Sequence, residues 1–412
     1  MAEWTENGMS RRKLLGSAAV LAAPALLGMR ARAGEGDTVD LHSPSGNSLR
    51  QVSRAFPEKG PMIVHRTRPA WLEPRFETFD QGVFTPNDQH YVSWHYQTFP
   101  TSVDPAAFTI KVRGHVEKSL TLSMTELLAM PRVELAAVSQ CAGNSRLYFQ
   151  PGVAGAPWAN GSMGNALWTG VPLRHVLDLA GIKPGAQCIR FAGADDPPSD
   201  AAPRFMKSLS VDHARDGEVM LAFGMNGEQL PLLNGFPLRL VVPGWVATYW
   251  IKALNDIEVL DGPDTNYWTT TGYRFPDTPD HTVTPGQTGY QLVSITKLFP
   301  RSFITNLKSG DKIPQGKPTL VRGIAFGGEC GVAKVETSLD GGKSWLLAKL
   351  GKDEGKYGFR RWEAELSLPN PGRQAILVRC TNSNGKAQPM ATTWNPQGYM
   401  KFDVETLSVI AA

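Results

Sequence analysis

The chain has 412 residues, and its 42 lysines and arginines exceed its 38 aspartates and glutamates by a formal net charge of +4. This length leaves room for two or three domains with their own cores. The charge is small and no long basic run follows the N-terminus, so the charge pattern does not indicate a nucleic-acid-binding protein. The 41 glycines and 31 prolines favour a β-rich, loop-rich structure.

The N-terminus has the pattern of an export signal. A basic start at Ser10-Arg11-Arg12-Lys13 precedes an apolar stretch from Leu14 to Met29, and Ala31-Arg32-Ala33 offers small residues for cleavage. The apolar stretch is too short for a good spanning helix, although an uncleaved anchor remains the alternative. The paired arginines resemble a twin-arginine signal, whose pathway exports folded proteins. We therefore expect residues 1–33 to be removed and the mature protein to be periplasmic, without a membrane span.

The first part of the mature chain carries little secondary-structure signal. Residues 34–84 are polar and proline-rich, and we expect an extended N-terminal arm lying over the core. A turn at Thr85-Pro86-Asn87-Asp88 and a short strand from His90 to His95 should follow. The capping-box spacing of Ser123 and Glu126 predicts a helix start.

A loop that combines a cysteine and an arginine follows the apolar run Val133–Val138, which reads as a strand. Gly143 and Asn144 tolerate left-handed backbone and are expected to open the loop after Cys141. A thiolate binds soft or high-valent metals, and the guanidinium of Arg146 would lower its pKa and attract anions. The alternative is that Cys141 is a small buried side chain.

The elements that follow the cysteine loop include one helix, a strand and a hairpin. A helix is expected from Pro172 to Leu179, a strand from Cys188 to Gly193, and a hairpin at the Asn226-Gly227 turn. Arg239 stands in an apolar strand, where an unpaired charge would be costly, so it should have an anionic partner.

From about Leu298 the pattern changes to short strands at the spacing of an immunoglobulin-type β-sandwich. The predicted strands are Leu320–Phe326, Val335–Leu339, Trp345–Leu350, Trp362–Leu368 and Ala375–Cys380.

The segment Gln-Cys-Ala-Gly-Asn-x-Arg resembles the cysteine loop of the sulfite oxidase family of molybdenum enzymes. Further similar segments, including Trp-Thr-Gly-Val-Pro-Leu and the strand that ends in Val-Pro-Gly, follow in the family's order from about Thr85 to the C-terminus. The resemblance implies a mixed α/β molybdopterin-binding domain at 85–295 and an immunoglobulin-like dimerisation domain at 296–412, hence a homodimer. It also implies molybdenum held by one molybdopterin and by the sulfur of Cys141.

The same resemblance assigns roles to the other matched positions. Arg146 and Tyr273 would bind the substrate anion, and Trp158 would line its pocket; core packing is the alternative for Trp158 and for Tyr273, and Tyr267 is the rival of Tyr273. The implied cofactor contacts are His95, Ser208, Arg239 and Lys252. A strand-end histidine, a structural ion pair and a surface lysine are the plain alternatives for His95, Arg239 and Lys252.

Three positions depart from the family pattern. Ser93 and Gln397 stand where family members carry substrate-binding arginines, and Asn234 stands where some carry a cofactor-binding histidine. These losses of charge put the substrate in doubt, unless another basic residue such as Arg274 or Arg360 compensates.

Cysteine spacing bounds the redox chemistry. No Cys-x-x-Cys-His motif is present, so we expect no c-type haem on this chain and a separate c-type cytochrome as electron acceptor. Cys330 and Cys380 could form a disulfide in an oxidising compartment.

The resemblance implies a periplasmic enzyme similar to bacterial sulfite dehydrogenases, which oxidises a small sulfur oxyanion. One alternative is a sulfane dehydrogenase, since that branch also lacks the strand arginine, although Arg146 argues against it. A sulfoxide reductase is another, although those proteins resemble the core domain alone. A non-catalytic binding protein built on the sandwich is the alternative from another class.

Overall fold

The computed structural model describes residues 37–412. The predicted export signal at residues 1–33 lies outside the described residues. None of the helices within 37–412 has both the length and the hydropathy of a membrane-spanning segment.

The described chain is mostly strand. The strands are β1 (Thr38–Asp40), β2 (Leu49–Ser53), β3 (Met62–Arg66), β4 (Trp71–Pro74), β5 (Val92–Ser93), β6 (Thr109–Gly114), β7 (Leu120–Ser123), β8 (Val133–Gln140), β9 (Met163–Pro172), β10 (Cys188–Gly193), β11 (Met206–Ser210), β12 (Met220–Met225), β13 (Glu228–Gln229), β14 (Arg239–Val241), β15 (Leu254–Leu260), β16 (Arg274–Pro276), β17 (Leu292–Ser294), β18 (Arg301–Ile304), β19 (Lys312–Ile313), β20 (Thr319–Phe326), β21 (Val332–Ser338), β22 (Leu346–Leu347), β23 (Lys349–Leu350), β24 (Arg360–Leu366), β25 (Gly372–Asn382) and β26 (Glu405–Ala411). The α-helices are α1 (Met124–Ala129), α2 (Leu173–Ala180), α3 (Val211–Ala214) and α4 (Tyr267–Thr270).

The N-terminal segment forms a sheet, so the prediction of an extended arm over 34–84 was wrong. Strands β1 to β5 pair in sequence order, and each neighbouring pair is antiparallel. These strands are at most five residues long, and Leu49–Ser53 has no clear alternation between buried and exposed positions. The hydrophobic pattern was therefore too weak to reveal them. The strand expected from His90 to His95 is confined to Val92–Ser93.

Two sheets build the next domain around the largest hydrophobic core. One has the order β11-β10-β15-β6-β7, and the other has the order β13-β12-β9-β8 with β14 paired to β12. Trp168 and Trp250 are buried in this core, 5.5 Å apart between ring centroids. These sheets and the N-terminal sheet hold the ends of β5, β8, β14 and β15 near one another, and this places the candidate site.

Local signals set most element boundaries as predicted. The side chain of Ser123 accepts a hydrogen bond from the backbone of Glu126, whose carboxylate accepts one from the Ser123 backbone, so the capping box that starts α1 is confirmed. Helix α2 ends before Gly181, which has φ 68°. Asn226 and Gly227 both have positive φ and join β12 to β13, as the hairpin prediction required.

The C-terminal domain is the predicted immunoglobulin-like sandwich. Its sheets have the orders β18-β20-β24-β23 and β19-β26-β25-β21-β22, and their facing side chains form a separate core around Trp362. Cys330 and Cys380 are both free, so the suggested disulfide is not formed. The thiol of Cys380 instead faces the carbonyl oxygen of Phe326 at 3.6 Å, inside the sandwich.

A buried arginine joins the sandwich to the cysteine loop. Arg301 in β18 is fully buried, pairs with Glu405, and donates from both Nη atoms to the Ser145 hydroxyl at 3.2 Å. The second domain thereby helps to fix the loop that follows β8.

Candidate active site

A cavity of about 60 Å³ lies at the ends of β5, β8, β14 and β15. It brings together five of the residues selected from the sequence. These are His95, Cys141, Arg239, Lys252 and Tyr273. Their convergence from distant parts of the chain makes this cavity the candidate active site.

Cys141 presents the only thiol among the residues that line this cavity. Its backbone N–H donates to the Ser162 carbonyl oxygen at 3.0 Å, which ties the loop to the start of β9. Burial raises the pKa of the Cys141 thiol, although the charge of Arg146 opposes that shift. Without an added cation or metal, the thiol is therefore held neutral at neutral pH.

The loop conformation differs from the prediction. Neither Gly143 nor Asn144 has positive φ; the left-handed residue is Ser145, at φ 67°. The Asn144 side-chain oxygen instead accepts hydrogen bonds from the Ser162 backbone at 3.0 Å and its hydroxyl at 2.8 Å. Gly143 is required by space, because a Cβ there would lie 2.7 Å from Cζ of Arg146.

Arg146 is buried beside the cysteine without a carboxylate partner among residues 37–412. Its Nε donates to the Gly398 carbonyl oxygen at 2.9 Å, and its guanidinium stacks on Tyr399, 4.9 Å from the ring centroid. Arg146 is not among the residues that line the cavity, but its charge acts on both Cys141 and Tyr273. It can therefore attract an anion close to the thiol.

Arg239 and Lys252 supply positive charge to the cavity wall. Arg239 donates to the backbone carbonyl oxygens of Asn234 at 2.9 Å and Trp250 at 3.4 Å, while its Nε has no hydrogen-bond partner within residues 37–412. Burial lowers the pKa of Arg239 to about 10 and that of Lys252 to about 8. No carboxylate of the described chain forms an ion pair with Arg239, and Lys252 lies in the cavity wall rather than on the open surface.

Two further buried lysines adjoin the same cavity and were missed as site residues. Lys207 in β11 lies 5.5 Å from the ring centroid of Tyr273, and Lys59 donates to the side chain of Asn234 at 2.5 Å. Burial lowers the pKa of each lysine to about 7. Within the described chain, no carboxylate lies in salt-bridge range of Lys59, Lys207, Arg239 or Lys252. Such a concentration of buried cations suits an anionic ligand.

His95 and Tyr273 meet on the cavity wall, with 3.3 Å between Nδ1 and the phenol oxygen. Burial, with the charges of Lys252 and Lys207, lowers the pKa of His95 to about 3, so its imidazole is neutral. Tyr273 has φ 55°, a strained backbone for a bulky side chain, and its pKa is raised by burial. Such strain is often found at functional sites. Tyr267, the rival position, is instead 46% exposed.

Besides Arg146, two selected residues do not line the cavity. Trp158 is buried in the core, with its ring 4.9 Å from that of His65. The Ser208 hydroxyl is bonded to Asp264 and lies 3.2 Å from the Thr269 hydroxyl. Neighbouring positions on a strand face opposite ways, so Lys207 rather than Ser208 approaches Tyr273. Because Trp158 is buried and does not line the cavity, core packing describes its role better than pocket lining does.

Neither arginine suggested as compensation for Ser93 lines the cavity. Arg274 donates to the carbonyl oxygen of Thr270 at 2.6 Å, and Arg360 donates to that of Gly351 at 3.1 Å. The Ser93 backbone instead accepts a hydrogen bond from Lys252 at 2.8 Å. The positive charge beside position 93 thus comes from a lysine.

The side chains of the described residues do not form a metal site by themselves. Within residues 37–412, no group of three or more histidine, cysteine, aspartate or glutamate side chains could hold a metal ion. A metal beside Cys141 would need its remaining ligands from an organic cofactor. One soft thiol and several buried cations, which have no carboxylate partner within residues 37–412, fit a metal-carrying cofactor with a phosphate group.

Two family models match the chain in succession. The "Oxidoreductase molybdopterin binding domain" matches residues 96–268, and the "Mo-co oxidoreductase dimerisation domain" matches residues 293–404. The first contains Cys141, Arg146, Arg239 and Lys252. The N-terminal sheet lies almost entirely before it.

Curated relatives and a solved structure give the same result. Sulfite oxidase of Gallus gallus is 31% identical over 359 residues, which cover 82% of this chain and 75% of that protein. Mitochondrial sulfite oxidase of Homo sapiens is 31% identical over 353 residues, which cover 82% of this chain and 63% of the human protein. The sulfane dehydrogenase SoxCD from Paracoccus pantotrophus shares the fold, with a TM-score of 0.72, 24% identity and 87% coverage of both chains.

Proposed function

We propose, since this chain belongs to the sulfite oxidase family of molybdopterin enzymes, that it oxidises sulfite to sulfate and passes the electrons to a separate c-type cytochrome. The observation that carries the proposal is the position of Cys141. Within residues 37–412 it is the only thiol that lines the cavity, and the buried cations around it have no carboxylate partner. When bound, the cofactor supplies two-electron oxidation of sulfur with oxygen-atom transfer.

The residues of the cavity divide between cofactor and substrate. Cys141 would be the single protein ligand of the molybdenum, and His95, Arg239 and Lys252 would hold the molybdopterin. Arg239 keeps an unpartnered Nε, which suits a phosphate oxygen.

Arg146 and Tyr273 would bind the sulfite. The three buried contacts of Arg146 with Gly398, Ala156 and Tyr399 fix its guanidinium close to the thiol. Neutral His95 can donate from Nδ1 to the Tyr273 phenol oxygen, which leaves the phenol hydrogen free for a substrate oxygen. The charge of Lys207, near the Tyr273 ring, would add to the attraction of the anion.

The remaining parts of the proposal concern the cell and the assembly. The twin-arginine pattern at residues 1–33 supports export to the periplasm, where a soluble cytochrome would accept electrons one at a time. The match of residues 293–404 to the dimerisation domain supports a homodimer through the sandwich.

The test is sulfite-dependent reduction of ferricyanide by molybdenum-loaded protein. Wild type should turn over, Cys141→Ser should not, and Cys188→Ser, which removes a thiol outside the cavity, should match wild type. A cofactor-loaded wild type that fails to oxidise sulfite would refute the proposed substrate.

A second candidate, oxidation of sulfane sulfur on a carrier protein, is favoured by Ser93. A serine there leaves the pocket less cationic and more open than an arginine would. The same loaded protein assayed with a carrier-bound persulfide separates the two. The persulfide is formed by transfer of the outer sulfur of thiosulfate to the cysteine of a carrier protein, and the sulfite released in that transfer is removed before the assay. Sulfoxide reduction has less support, because the chain carries the C-terminal sandwich.

A further inference from the structure

Lys59 is a buried lysine whose contacts all lie at one end of the candidate cavity. It stands between β2 and β3, in the N-terminal sheet, before the residues that match the molybdopterin-binding family model. Its Nζ donates to the carbonyl oxygens of Asn87 at 2.7 Å and His90 at 3.0 Å, and to Asn234 Oδ1 at 2.5 Å. Two of these partners, His90 and Asn234, line the cavity.

The charge of Lys59 is not neutralised by a direct ion pair. Glu58 and Asp88 are the acids whose charges reach it, but neither is within salt-bridge distance in the described structure. Glu58 accepts a hydrogen bond from the Leu232 backbone at 2.6 Å instead. A buried ammonium without a bonded carboxylate is costly to keep unless an anion binds nearby.

Lys59 also fixes the orientation of the Asn234 amide. An ammonium only donates, so the atom of Asn234 that faces Lys59 must be the oxygen. The Asn234 Nδ2 then donates to the Tyr91 carbonyl oxygen at 3.0 Å and faces His90 Nδ1 at 3.4 Å.

The His90 imidazole lies against the Asn234 amide. Its Nδ1 faces the Asn234 Nδ2, a donor, at 3.4 Å and the Tyr91 carbonyl oxygen, an acceptor, at 3.3 Å, so these contacts suit either tautomer of the ring. His90 Nε2 has no hydrogen-bond partner in the described chain, and neither has Nε of nearby Arg239. Two unpaired buried nitrogens, of which the guanidinium Nε is a donor, therefore accompany Lys59 around the Asn234 end of the cavity, which we call the Asn234 subsite (Lys59, His90, Asn234, Arg239).

We infer that Lys59 helps to hold the phosphate group that the Asn234 subsite would bind, because it fixes the Asn234 amide and supplies the positive charge that the neutral side chain at position 234 lacks. The inference rests on the proposed function in one respect, that the phosphate is that of the molybdopterin. Lys59 acts through Asn234 and by its charge, and is a positioning residue. The N-terminal sheet is thereby part of the cofactor site.

The test is isothermal titration calorimetry, in which the cofactor-free full-length chain is titrated with inorganic phosphate. Lys59→Gln, which keeps hydrogen-bonding capacity but removes the charge, should weaken phosphate binding about tenfold, equivalent to about 1.4 kcal/mol. Lys118→Gln, at an exposed position, should bind as wild type does. Unchanged binding by Lys59→Gln, or no binding by wild type, would overturn the inference.

Two further variants keep the test decisive. Asn234→Asp should pair with Lys59 and abolish phosphate binding even if Lys59→Gln does not fold; retained binding would contradict the inference. Arg146→Gln should keep phosphate binding. If Arg146→Gln loses phosphate binding while Lys59→Gln keeps it, the phosphate binds at the substrate site instead. A chain that binds phosphate through Lys59 but does not oxidise sulfite would refute only the proposed substrate.

Discussion

Lys252 donates a 2.8 Å hydrogen bond from Nζ to the backbone carbonyl oxygen of Ser93. The ammonium lies over Trp94, 4.7 Å from the ring centroid, and lines the cavity with Cys141. The side chain at position 93 is neutral, but a lysine that lies just before β15 gives the cavity wall at β5 a positive charge. Sulfite recognition in this chain would depend on Arg146 and lysines rather than on an arginine in β5.

Restoring an arginine at position 93 should strengthen sulfite binding. The Ser93→Arg variant adds a long cationic side chain where only a hydroxyl stands, so KM for sulfite should fall about tenfold, as one charge-assisted contact of about 1.4 kcal/mol implies. Steady-state kinetics at low and high ionic strength measure this. Ser93→Gln, long but uncharged, is the control, and an equal fall in its KM would show that charge is not the cause.

The space around Arg146 should matter as much as the arginine itself. In Gly143→Ala, the new Cβ would lie 2.7 Å from Cζ of Arg146 and displace its guanidinium. KM for sulfite should then rise about tenfold, with a smaller change in kcat. Gly262→Ala is the matched control, since a Cβ there meets nothing within 4 Å. A wild-type KM and kcat in Gly143→Ala would show that the position of Arg146 does not matter for substrate binding.

The buried lysines predict an unusual pH dependence for the cofactor-free chain. Burial lowers the pKa of Lys59 and Lys207 to about 7, whereas an unfolded lysine titrates near about 10.4. Above pH 7 the unfolded state therefore binds more protons, so the free energy of unfolding rises with pH, by up to about 1.4 kcal/mol per pH unit for each neutral lysine.

Chemical denaturation of the cofactor-free protein between pH 7 and 8 measures that slope. Lys207→Met should flatten it, because one of the groups that release a proton on folding is gone. A stability that falls over this range in wild type would contradict the account of unpaired cations.

Glu73 should hold the cysteine loop from behind. Its buried carboxylate accepts from His65 Nε2 at 2.7 Å and from the backbone N–H groups of Ala159 at 3.0 Å and Gly161 at 2.5 Å. The same segment accepts the Cys141 backbone N–H through Ser162. Glu73→Ala should lower the free energy of unfolding by about 3–5 kcal/mol, because several buried donors lose their partner.

Thiol reactivity separates the local effect of Glu73 from the global one. In the cofactor-free chain under native conditions, Glu73→Gln should increase the rate at which iodoacetamide alkylates Cys141, followed by mass spectrometry of the Cys141 peptide. The alkylation rate of Cys188, far from the loop, is the internal reference. Equal rates for Cys141 in both proteins would show that Glu73 does not position the loop.

Sequence reasoning found what short local patterns encode. The capping box at Ser123, the hairpin at Asn226-Gly227 and the sandwich strands depend on neighbouring residues and are confirmed. The N-terminal sheet was missed because its strands are short and its pairing is set by contacts with distant residues. The match of Cys141 to a family motif located the cavity, and Arg239 in an apolar strand signalled a buried charge that needs an anion.

The missed site residues share a physical reason. Lys59 and Lys207 look like surface lysines in the sequence, and only tertiary packing buries them. Tyr399 reaches Arg146 from the second domain, across more than 250 positions of sequence. The neutral side chains of Ser93 and Asn234, at positions where the family pattern has cationic ones, were a signal in the sequence that other residues supply the positive charge of the site.

The most direct test of the account is X-ray absorption at the molybdenum edge of the loaded protein, compared between wild type and Cys141→Ser. The account predicts that the variant retains molybdenum but loses one sulfur ligand, while Cys188→Ser retains the wild-type spectrum. An unchanged number of sulfur ligands in Cys141→Ser would contradict the assignment of Cys141 as the protein's ligand to the metal.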